Sequence, residues 1–195
     1  NMDFGIRLID SSNNNTLARN DVVDSCRGIY LSGSSNNSIS GNNVTANSLL
    51  GIKLSASSNN SISRNSIANN GADGIDLTEY SNYNSIVGNN LTSNGWAGIF
   101  LENSANNTFA ENNVTGNAYC GIGLDKASDN RIYHNNFADN LIIQVVVLDS
   151  LSVWDDGYPS GGNYWSDYTG VDFYHGPYQN LTGCDGVGDT PYTIN

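Results

Sequence analysis

Positive charge is scarce in this sequence. Lys and Arg together number seven, against 19 Asp and Glu residues, so the formal net charge is −12. Proteins that bind the phosphate backbone of nucleic acids need clustered basic residues to displace counterions. We therefore expect neither a nucleic acid nor an acidic membrane surface among the partners of this chain.

Long apolar segments are also missing. The longest apolar run, around residues 141–148, is interrupted by Gln144 and is too short to span a bilayer. It is typical of a buried strand, and no membrane insertion is expected. No signal peptide is visible, and the chain begins at Asn1 without an initiator Met, which we interpret as a mature or truncated product.

The sequence does contain a repeat of about 23 residues. The pattern Gly-Ile-x-Leu occurs six times, at spacings of 23, 23, 23, 24 and 23 residues. Such regular spacing is typical of solenoids, in which each repeat packs on its neighbours. The glycines of the pattern are Gly5, Gly28, Gly51, Gly74, Gly98 and Gly121.

Two further apolar columns recur with the same period, so each repeat supplies three short strands separated by Asn, Ser and Gly turns. One column is Leu17, Ile39, Ile62, Ile86, Phe109 and Ile132. The other is Val22, Val44, Ile67, Leu91, Val114 and Phe137. The sequence therefore predicts an all-β fold, a right-handed parallel β-helix of six to seven coils over residues 1–148.

Asparagine repeats as regularly as the apolar residues, two positions before each of these columns and three after the second. Asn tolerates left-handed backbone at a tight turn, and its amide can bond to the Asn stacked above it. Amide ladders form wherever identical side chains stack at strand spacing. We interpret nearly all of these asparagines as scaffold.

The repeat resembles the NosD and carbohydrate-binding/sugar-hydrolase (CASH) group of right-handed β-helix proteins. The resemblance is carried by Gly-Ile-x-Leu and by Asn-Asn-Ser-Ile-Ser-x-Asn at residues 36–42 and 59–65, and it covers residues 1–148. It implies the fold, on which many functions occur. NosD assists the maturation of a copper enzyme, but copper sites draw on Cys, Met and His. This sequence has one Met, two His and three Cys without short spacing, so we expect no copper.

Residues 149–195 differ in composition from the repeat. They hold nine of the 19 aromatic residues, all three Pro, seven Asp and no Lys or Arg. We interpret them as a small irregular C-terminal cap. They resemble a module that follows NosD-like repeats in archaeal and some bacterial surface proteins. The matching motifs are Trp-Asp-Asp-Gly at 154–157, Gly-Gly-Asn-Tyr-Trp-Ser-Asp-Tyr at 161–168, Gly-Pro at 176–177 and Asp-Gly-Val-Gly-Asp-Thr-Pro-Tyr at 185–192.

Six aspartates of this tail lie among Gly and Asn in loops that can supply carbonyl oxygens. Calcium takes six to eight hard oxygen ligands, so these loops are candidates for a calcium site. The alternative is that the aspartates cap turns by accepting hydrogen bonds from backbone N–H groups. The six are Asp155, Asp156, Asp167, Asp172, Asp185 and Asp189.

The aromatic side chains of the tail also have two interpretations. Trp154, Tyr164 and Trp165, together with Tyr158 and Tyr168, can stack on sugar rings, or they can form the core of the cap. The first interpretation predicts a carbohydrate-binding or adhesion module on a cell surface, with surface glycans as partners.

Eight Asn-x-Ser/Thr sequons fit a secreted glycoprotein, although an Asn- and Ser-rich sequence also produces sequons by chance. We therefore expect an extracellular or cell-surface location. The candidate glycosylation sites are Asn14, Asn36, Asn43, Asn59, Asn90, Asn106, Asn113 and Asn180.

A catalytic set is harder to find. Glycosidases hold two or three carboxylates on one face. The outward x position of Gly-Ile-x-Leu carries one carboxylate, Asp76, whose neighbour Lys53 is expected to form a surface ion pair with it. Asp73, Asp76 and Glu79 are the best candidates, without a second convergent set. The sequence therefore predicts no enzyme, with a polysaccharide lyase, hydrolase or epimerase as the less favoured alternative.

The first coil favours a structural role. It starts close to Asn1 with no amphipathic helix over its end, so unpaired backbone and apolar surface are expected there. Head-to-tail stacking of such ends, without closure, produces filaments. The favoured interpretation is an extracellular structural protein, a self-assembling subunit of a surface layer, sheath or filament. The alternative is the carbohydrate-binding or adhesion module.

Overall fold

The computed structural model describes residues 2–194, and within that range it contains β-strands and no helix. None of these residues therefore forms a helix that could cross a membrane. In chain order the strands are β1 (Phe4–Ile9), β2 (Thr16–Ala18), β3 (Asp21–Val23), β4 (Arg27–Ser32), β5 (Ser38–Ser40), β6 (Asn43–Thr45), β7 (Ile52–Ser55), β8 (Ser61–Ser63), β9 (Ser66–Ala68), β10 (Ile75–Thr78), β11 (Ser85–Val87), β12 (Asn90–Thr92), β13 (Ala97–Glu102), β14 (Thr108–Ala110), β15 (Asn113–Thr115), β16 (Cys120–Asp125), β17 (Arg131–Tyr133), β18 (Asn136–Ala138), β19 (Ile143–Leu148), β20 (Tyr164–Trp165), β21 (Tyr174–His175) and β22 (Leu181–Thr182).

Three parallel sheets run along the molecule. The first has the order β1-β4-β7-β10-β13-β16-β19, the second β17-β14-β11-β8-β5-β2, and the third β20-β18-β15-β12-β9-β6-β3. Along most of each sheet, neighbouring strands are three apart in sequence, so the chain passes through all three sheets once in every coil. The prediction of a β-solenoid with three short strands per coil is confirmed.

The predicted apolar columns line the inside of the coils. In the first sheet, Ile29 pairs with Ile52 and Leu31 with Leu54, and all four side chains are fully buried. The columns of the second and third sheets pair in the same register. In the first coil, by contrast, Leu17 is only half-buried. Because side chains alternate across a strand, the residue between two buried positions lies on the outer face of its sheet.

The repeated asparagines form ladders of side-chain hydrogen bonds, as expected. Asn65 Nδ2 donates to Asn89 Oδ1 at 2.9 Å, and the backbone N–H of Asn65 donates to the same oxygen at 3.0 Å. The left-handed backbone, however, does not fall on these asparagines. It falls on the residue before each, such as Arg64 (φ 54°) and Gly88 (φ 67°). The ladder asparagine is buried, so the turn uses the preceding position at the corner of the coil.

The tail follows the path of the coils before it leaves them. Val153 forms a parallel bridge with Arg131 at the end of the second sheet, and β20 pairs with β18 at the end of the third, so the tail continues both sheets. The strands β21 and β22 then form a separate antiparallel pair. The division into residues 1–148 and 149–195 stays a prediction.

Trp165 covers the end of the last coil. Its ring lies between Phe137 and Tyr192, with ring centroids 4.8 Å and 4.4 Å away and both pairs stacked. The side chain is 8% exposed and belongs to the same apolar cluster as the interior of the coils. The tail therefore closes the apolar interior at this end.

Candidate functional site

The outer face of the first sheet brings titratable residues of successive coils together. Register places Lys53 beside Asp76, and Asp76 beside Phe100, in a single column. Ile75 and Leu77 on either side of Asp76 are fully buried in the interior. The carboxyl group between them therefore lies on the outer face.

Asp76 is buried although it lies on that face. Its exposed fraction is 6%, and Lys53 Nζ donates to its Oδ2 at 2.8 Å. The other oxygen, Oδ1, is buried and has no hydrogen-bond partner among residues 2–194. Desolvation raises the pKa of Asp76 although Lys53 lowers it, and the charge of Glu102 raises it further. The predicted ion pair is confirmed, but it is a largely buried pair and not a surface pair.

Asp73 lies on the same face, three residues before Asp76, and is half-buried. The backbone N–H of Ala97 donates to its Oδ1 at 3.0 Å. Desolvation raises the pKa of Asp73 to about 6; the bond from Ala97 and the charge of Lys53 oppose this rise, and the charge of Asp76 adds to it. Both protonation states of Asp73 are therefore populated between weakly acidic and neutral pH.

Two exposed glutamates complete the group. Glu79 accepts a hydrogen bond from the hydroxyl of Ser55, one coil earlier. Glu102 lies one coil later, near enough for its charge to raise the pKa of Asp76. We call this group the carboxylate cluster, and its members are Asp73, Asp76, Glu79 and Glu102.

The sequence indicated three members of the carboxylate cluster and missed Glu102. Glu102 is two residues beyond the x position of its own coil, so it is absent from the column that Asp76 occupies. Glu102 could have been found by comparing, from coil to coil, the outward position two residues after x.

Aromatic residues flank the carboxylate cluster on the side of the later coils. Trp96 and Tyr119 stack with ring centroids 4.4 Å apart, and Trp96 is 51% exposed. A pocket of about 230 Å³ opens beside them where Gly123 has no side chain. A Cβ atom on Gly123 would lie 3.0 Å from the ring of Phe100. We call this pocket the aromatic notch, and its lining includes Trp96, Phe100, Tyr119, Cys120, Gly123 and Val146.

Basic and aromatic residues flank the cluster on the side of the earlier coils. Phe4 and Tyr30 stack with ring centroids 5.1 Å apart. The guanidinium groups of Arg7 and Arg27 lie 4.8 Å and 5.5 Å from the centre of the Phe4 ring. Along the axis the face therefore offers ring-stacking and polar contacts over several coils, which suits an extended ligand.

The six aspartates predicted to bind calcium do not gather in one place. Within residues 2–194, no group of three or more His, Cys, Asp or Glu side chains is arranged to hold a metal ion. Asp189 accepts hydrogen bonds from the backbone N–H groups of Phe173 and Tyr174, and Asp172 accepts those of residues 185–186. These bonds are those of the turn-capping alternative.

Each of the other four aspartates contacts a different partner. Asp155 accepts the N–H of Gly157, and Asp185 accepts that of Val187. Asp156 pairs with an arginine of the last coil, and the hydroxyl of a tail tyrosine donates to Asp167. Calcium binding stays a prediction.

Trp154, Tyr164 and Trp165 line a cavity of about 810 Å³ between the last coil and the tail. Phe137 and Tyr192 cover both faces of Trp165, which therefore fills the core and offers no face to a sugar. Tyr164 is 61% exposed and Trp154 is half-buried. Sugar stacking by these two side chains stays a prediction.

The asparagines of the eight sequons lie at the surface of the coils and tail. Seven are exposed, and Asn113 is half-buried with its amide donating to Asn90 Oδ1. Glycosylation at these positions stays a prediction.

Comparison with known proteins places the repeat in a family. The family model of the right-handed beta helix region matches residues 1–150. Curated proteins give no match. Among solved structures, a double mutant of the periplasmic alginate epimerase AlgG is 26% identical to this chain with a TM-score of 0.75. The match covers 79% of this chain and 42% of the epimerase, so the chain spans less than half of that protein.

Two phage proteins share the fold at lower identity. The Dettilon tailspike protein is 17% identical with a TM-score of 0.67, over 78% of this chain and 35% of the tailspike. The enzymatically active domain of bacteriophage CBA120 tailspike protein 2 is 11% identical with a TM-score of 0.66, over 80% of this chain and 27% of that one. At these identities the likeness shows the fold alone.

The expectation that the chain is no enzyme is corrected by its similarity to an alginate epimerase. That expectation found one carboxylate in the outward column and three within a single coil, whereas the carboxylate cluster also includes Glu102 of the next coil. The general part of the predicted resemblance, that the chain is a β-helix repeat protein, is confirmed. Because the family model covers residues 1–150, well over half of the sequence, the chain belongs to the family of right-handed β-helix proteins.

Proposed function

We propose that this chain binds a polysaccharide along the outer face of the first sheet and acts on it with Asp73 and Asp76. The observation that carries the proposal is a pair of carboxyl groups with raised pKa, one buried and one half-buried, beside Lys53 on a face flanked by aromatic side chains. The similarity to the alginate epimerase supports a carbohydrate as the ligand.

The carboxyl groups have properties that proton transfer requires. A general acid or base works best when its pKa is close to the working pH, and burial shifts the pKa of Asp73 to about 6. Asp73 can then give a proton to a glycosidic oxygen or take one from an attacking group. Asp76 is held in place by Lys53, and its buried Oδ1, which has no partner among residues 2–194, can accept a hydrogen bond from a sugar hydroxyl. Paired carboxyl groups are the usual apparatus of glycoside cleavage.

Turnover tests the role of Asp73. A panel of neutral, anionic and cationic polysaccharides is incubated with the protein, and new reducing ends are measured. We expect Asp73→Asn to lower the rate by roughly 100-fold or more. Glu111→Gln, an exposed carboxylate at a corner between the other two sheets, is the matched control and should leave the rate unchanged. Full activity of Asp73→Asn would exclude Asp73 as the acid or base.

A carbohydrate-binding or adhesion module is the second candidate, favoured by the exposed Trp96–Tyr119 pair. If wild-type protein retains a glycan on an affinity gel without cleaving it, and Trp96→Ala loses that retention, binding alone is the function. The structural-subunit hypothesis gains nothing from the comparisons, which favour the carbohydrate alternative.

The chain is also proposed to work outside the cytoplasm. Support comes from the exposed sequon asparagines and from the periplasmic location of the similar epimerase. Release of the protein from intact cells by a surface protease or a mild wash would support a location outside the cytoplasm, and retention until lysis would contradict it.

Two narrower assignments are also proposed: membership of the NosD/CASH group, and a tail of the type found in archaeal surface proteins. They rest on the repeat motifs and the tail motifs.

A further inference from the structure

The carboxylate cluster has more negative than positive charge available for a ligand. Among residues 2–194, one cation forms a salt bridge with the cluster: Lys53 Nζ lies 2.8 Å from Asp76 Oδ2. Glu102 is exposed and Asp73 is half-buried, and neither has a salt-bridge partner in the described part of the chain. The field at this point of the face is therefore negative when these groups are ionised.

Lys53 cannot bind a second anion without breaking its ion pair with Asp76. If it turned to a carboxylate of a ligand, Asp76 would be left buried and unpaired, which is strongly unfavourable. An anionic sugar at this point would also lie against Glu102 and Asp73, and like charges in contact oppose binding. The cluster is thus poorly suited to a polymer that carries a negative charge on every sugar.

A second observation, at one carboxylate oxygen of Asp76, indicates that the site lacks a hydrogen-bond donor. Asp76 is 6% exposed, and its Oδ1 has no hydrogen-bond partner among the described residues, while Oδ2 accepts from Lys53. A buried carboxylate oxygen without a donor is costly, and a donor with positive charge satisfies it best. Glu102 is exposed and close enough for its charge to act on Asp76, so it can share such a group with Asp76.

We propose that the face recognises a glycan containing free amino sugars, whose ammonium group binds between Asp73, Asp76 and Glu102. This inference rests on the proposed function and names its substrate class. The neighbouring aromatic notch then takes the apolar face of the adjoining sugar ring. The preference departs from that of the similar epimerase, which is named for alginate.

Calorimetric titration with three tetrasaccharides of equal length tests the inference: glucosamine, N-acetylglucosamine and mannuronate oligomers. The glucosamine tetramer should bind most tightly and the mannuronate tetramer most weakly. Added NaCl should weaken only the binding of the glucosamine tetramer, because salt screens charge attraction. Glu102→Gln should weaken that binding by roughly three- to tenfold.

The matched control separates the cluster from the overall negative charge of the protein. Glu111→Gln changes the net charge by the same amount at an exposed corner away from the first sheet, and should leave the affinity unchanged. Equal losses in Glu102→Gln and Glu111→Gln would overturn the inference. If the neutral or anionic tetramer binds more tightly and Trp96→Ala removes that binding, the proposed function stands and the amino-sugar preference is wrong. Absence of binding by all three tetramers would overturn the inference, and the wider polysaccharide panel then decides the proposed function.

Discussion

Buried carboxyl groups on an outward face are the main departure of this molecule from a pure scaffold. Most ladder asparagines are also buried, but they find hydrogen-bond partners in the adjoining coils. Asp73 and Asp76 instead retain ionisable groups where desolvation disfavours their charge. Such groups lower the stability of the folded state, and they are typical of functional sites.

Substitution of Asp73 by Asn tests this cost at the residue scale. The folded-state pKa of Asp73, about 6, lies above the ordinary value of 3.8 for an aspartate. The stabilising effect of the protonated form is therefore complete below about pH 4 and is lost as pH rises through about 6. We expect Asp73→Asn to raise the free energy of unfolding by about 1–3 kcal/mol at neutral pH and by much less near pH 4, as measured by urea denaturation.

The control for this measurement is Asp21→Asn, at an exposed position on the third sheet. It should change the urea midpoint little at either pH. An equal effect of Asp73→Asn at both pH values would show that ionisation of Asp73 does not limit stability.

At the scale of the strand, the glycine of Gly-Ile-x-Leu lets successive coils approach at the corner before the first sheet. A Cβ atom on Gly51 would lie 2.5 Å from the carbonyl oxygen of Gly74 and 2.6 Å from Ile67 Cγ2. It would also lie 2.9 Å from Asn70 Nδ2, in an asparagine ladder. The glycine is thus required by packing between coils, and not by its backbone conformation.

Gly51→Ala is expected to lower the free energy of unfolding by about 3 kcal/mol, because backbone and a buried ladder must both shift. The matched control is Gly33→Ala, where the backbone has φ +57° and no atom lies within 4 Å of the added Cβ. There the cost is the left-handed backbone alone, about 1 kcal/mol. Urea denaturation of both variants measures the difference, and a larger cost at Gly33 would contradict the packing explanation.

At the scale of the whole molecule, one tryptophan is buried in the core and another is exposed on the proposed binding face. Trp165 joins the tail to the apolar interior, between Phe137 and Tyr192. Trp96 lies 51% exposed beside the aromatic notch. The tail therefore serves the closure of the coils, whereas the face of the first sheet is left open.

A pair of alanine variants separates these roles. Trp165→Ala should lower the free energy of unfolding by about 3–5 kcal/mol, because a buried ring stacked on both faces is lost. Trp96→Ala should cost much less than that in stability, yet weaken glycan binding. Thermal unfolding followed by circular dichroism, together with the binding assays above, measures both effects. A reversed pattern would place the ligand at the tail.

The repeat in the sequence determined the coil, the three strands, the inward columns and the ladders. It did so because a parallel solenoid brings residue i onto residue i+22, i+23 or i+24, so the period of the repeat predicts the register of the strands. Only the tertiary structure decided that Glu102 joins Asp73 and Asp76, that the Lys53 pair is buried, and that both faces of Trp165 are covered. Those properties depend on side chains contributed by neighbouring columns, coils and the non-repeating tail. These side chains do not recur with the period of the repeat, so the period does not show that they meet. Their burial determines the pKa values of the carboxyl groups and which aromatic rings stay exposed.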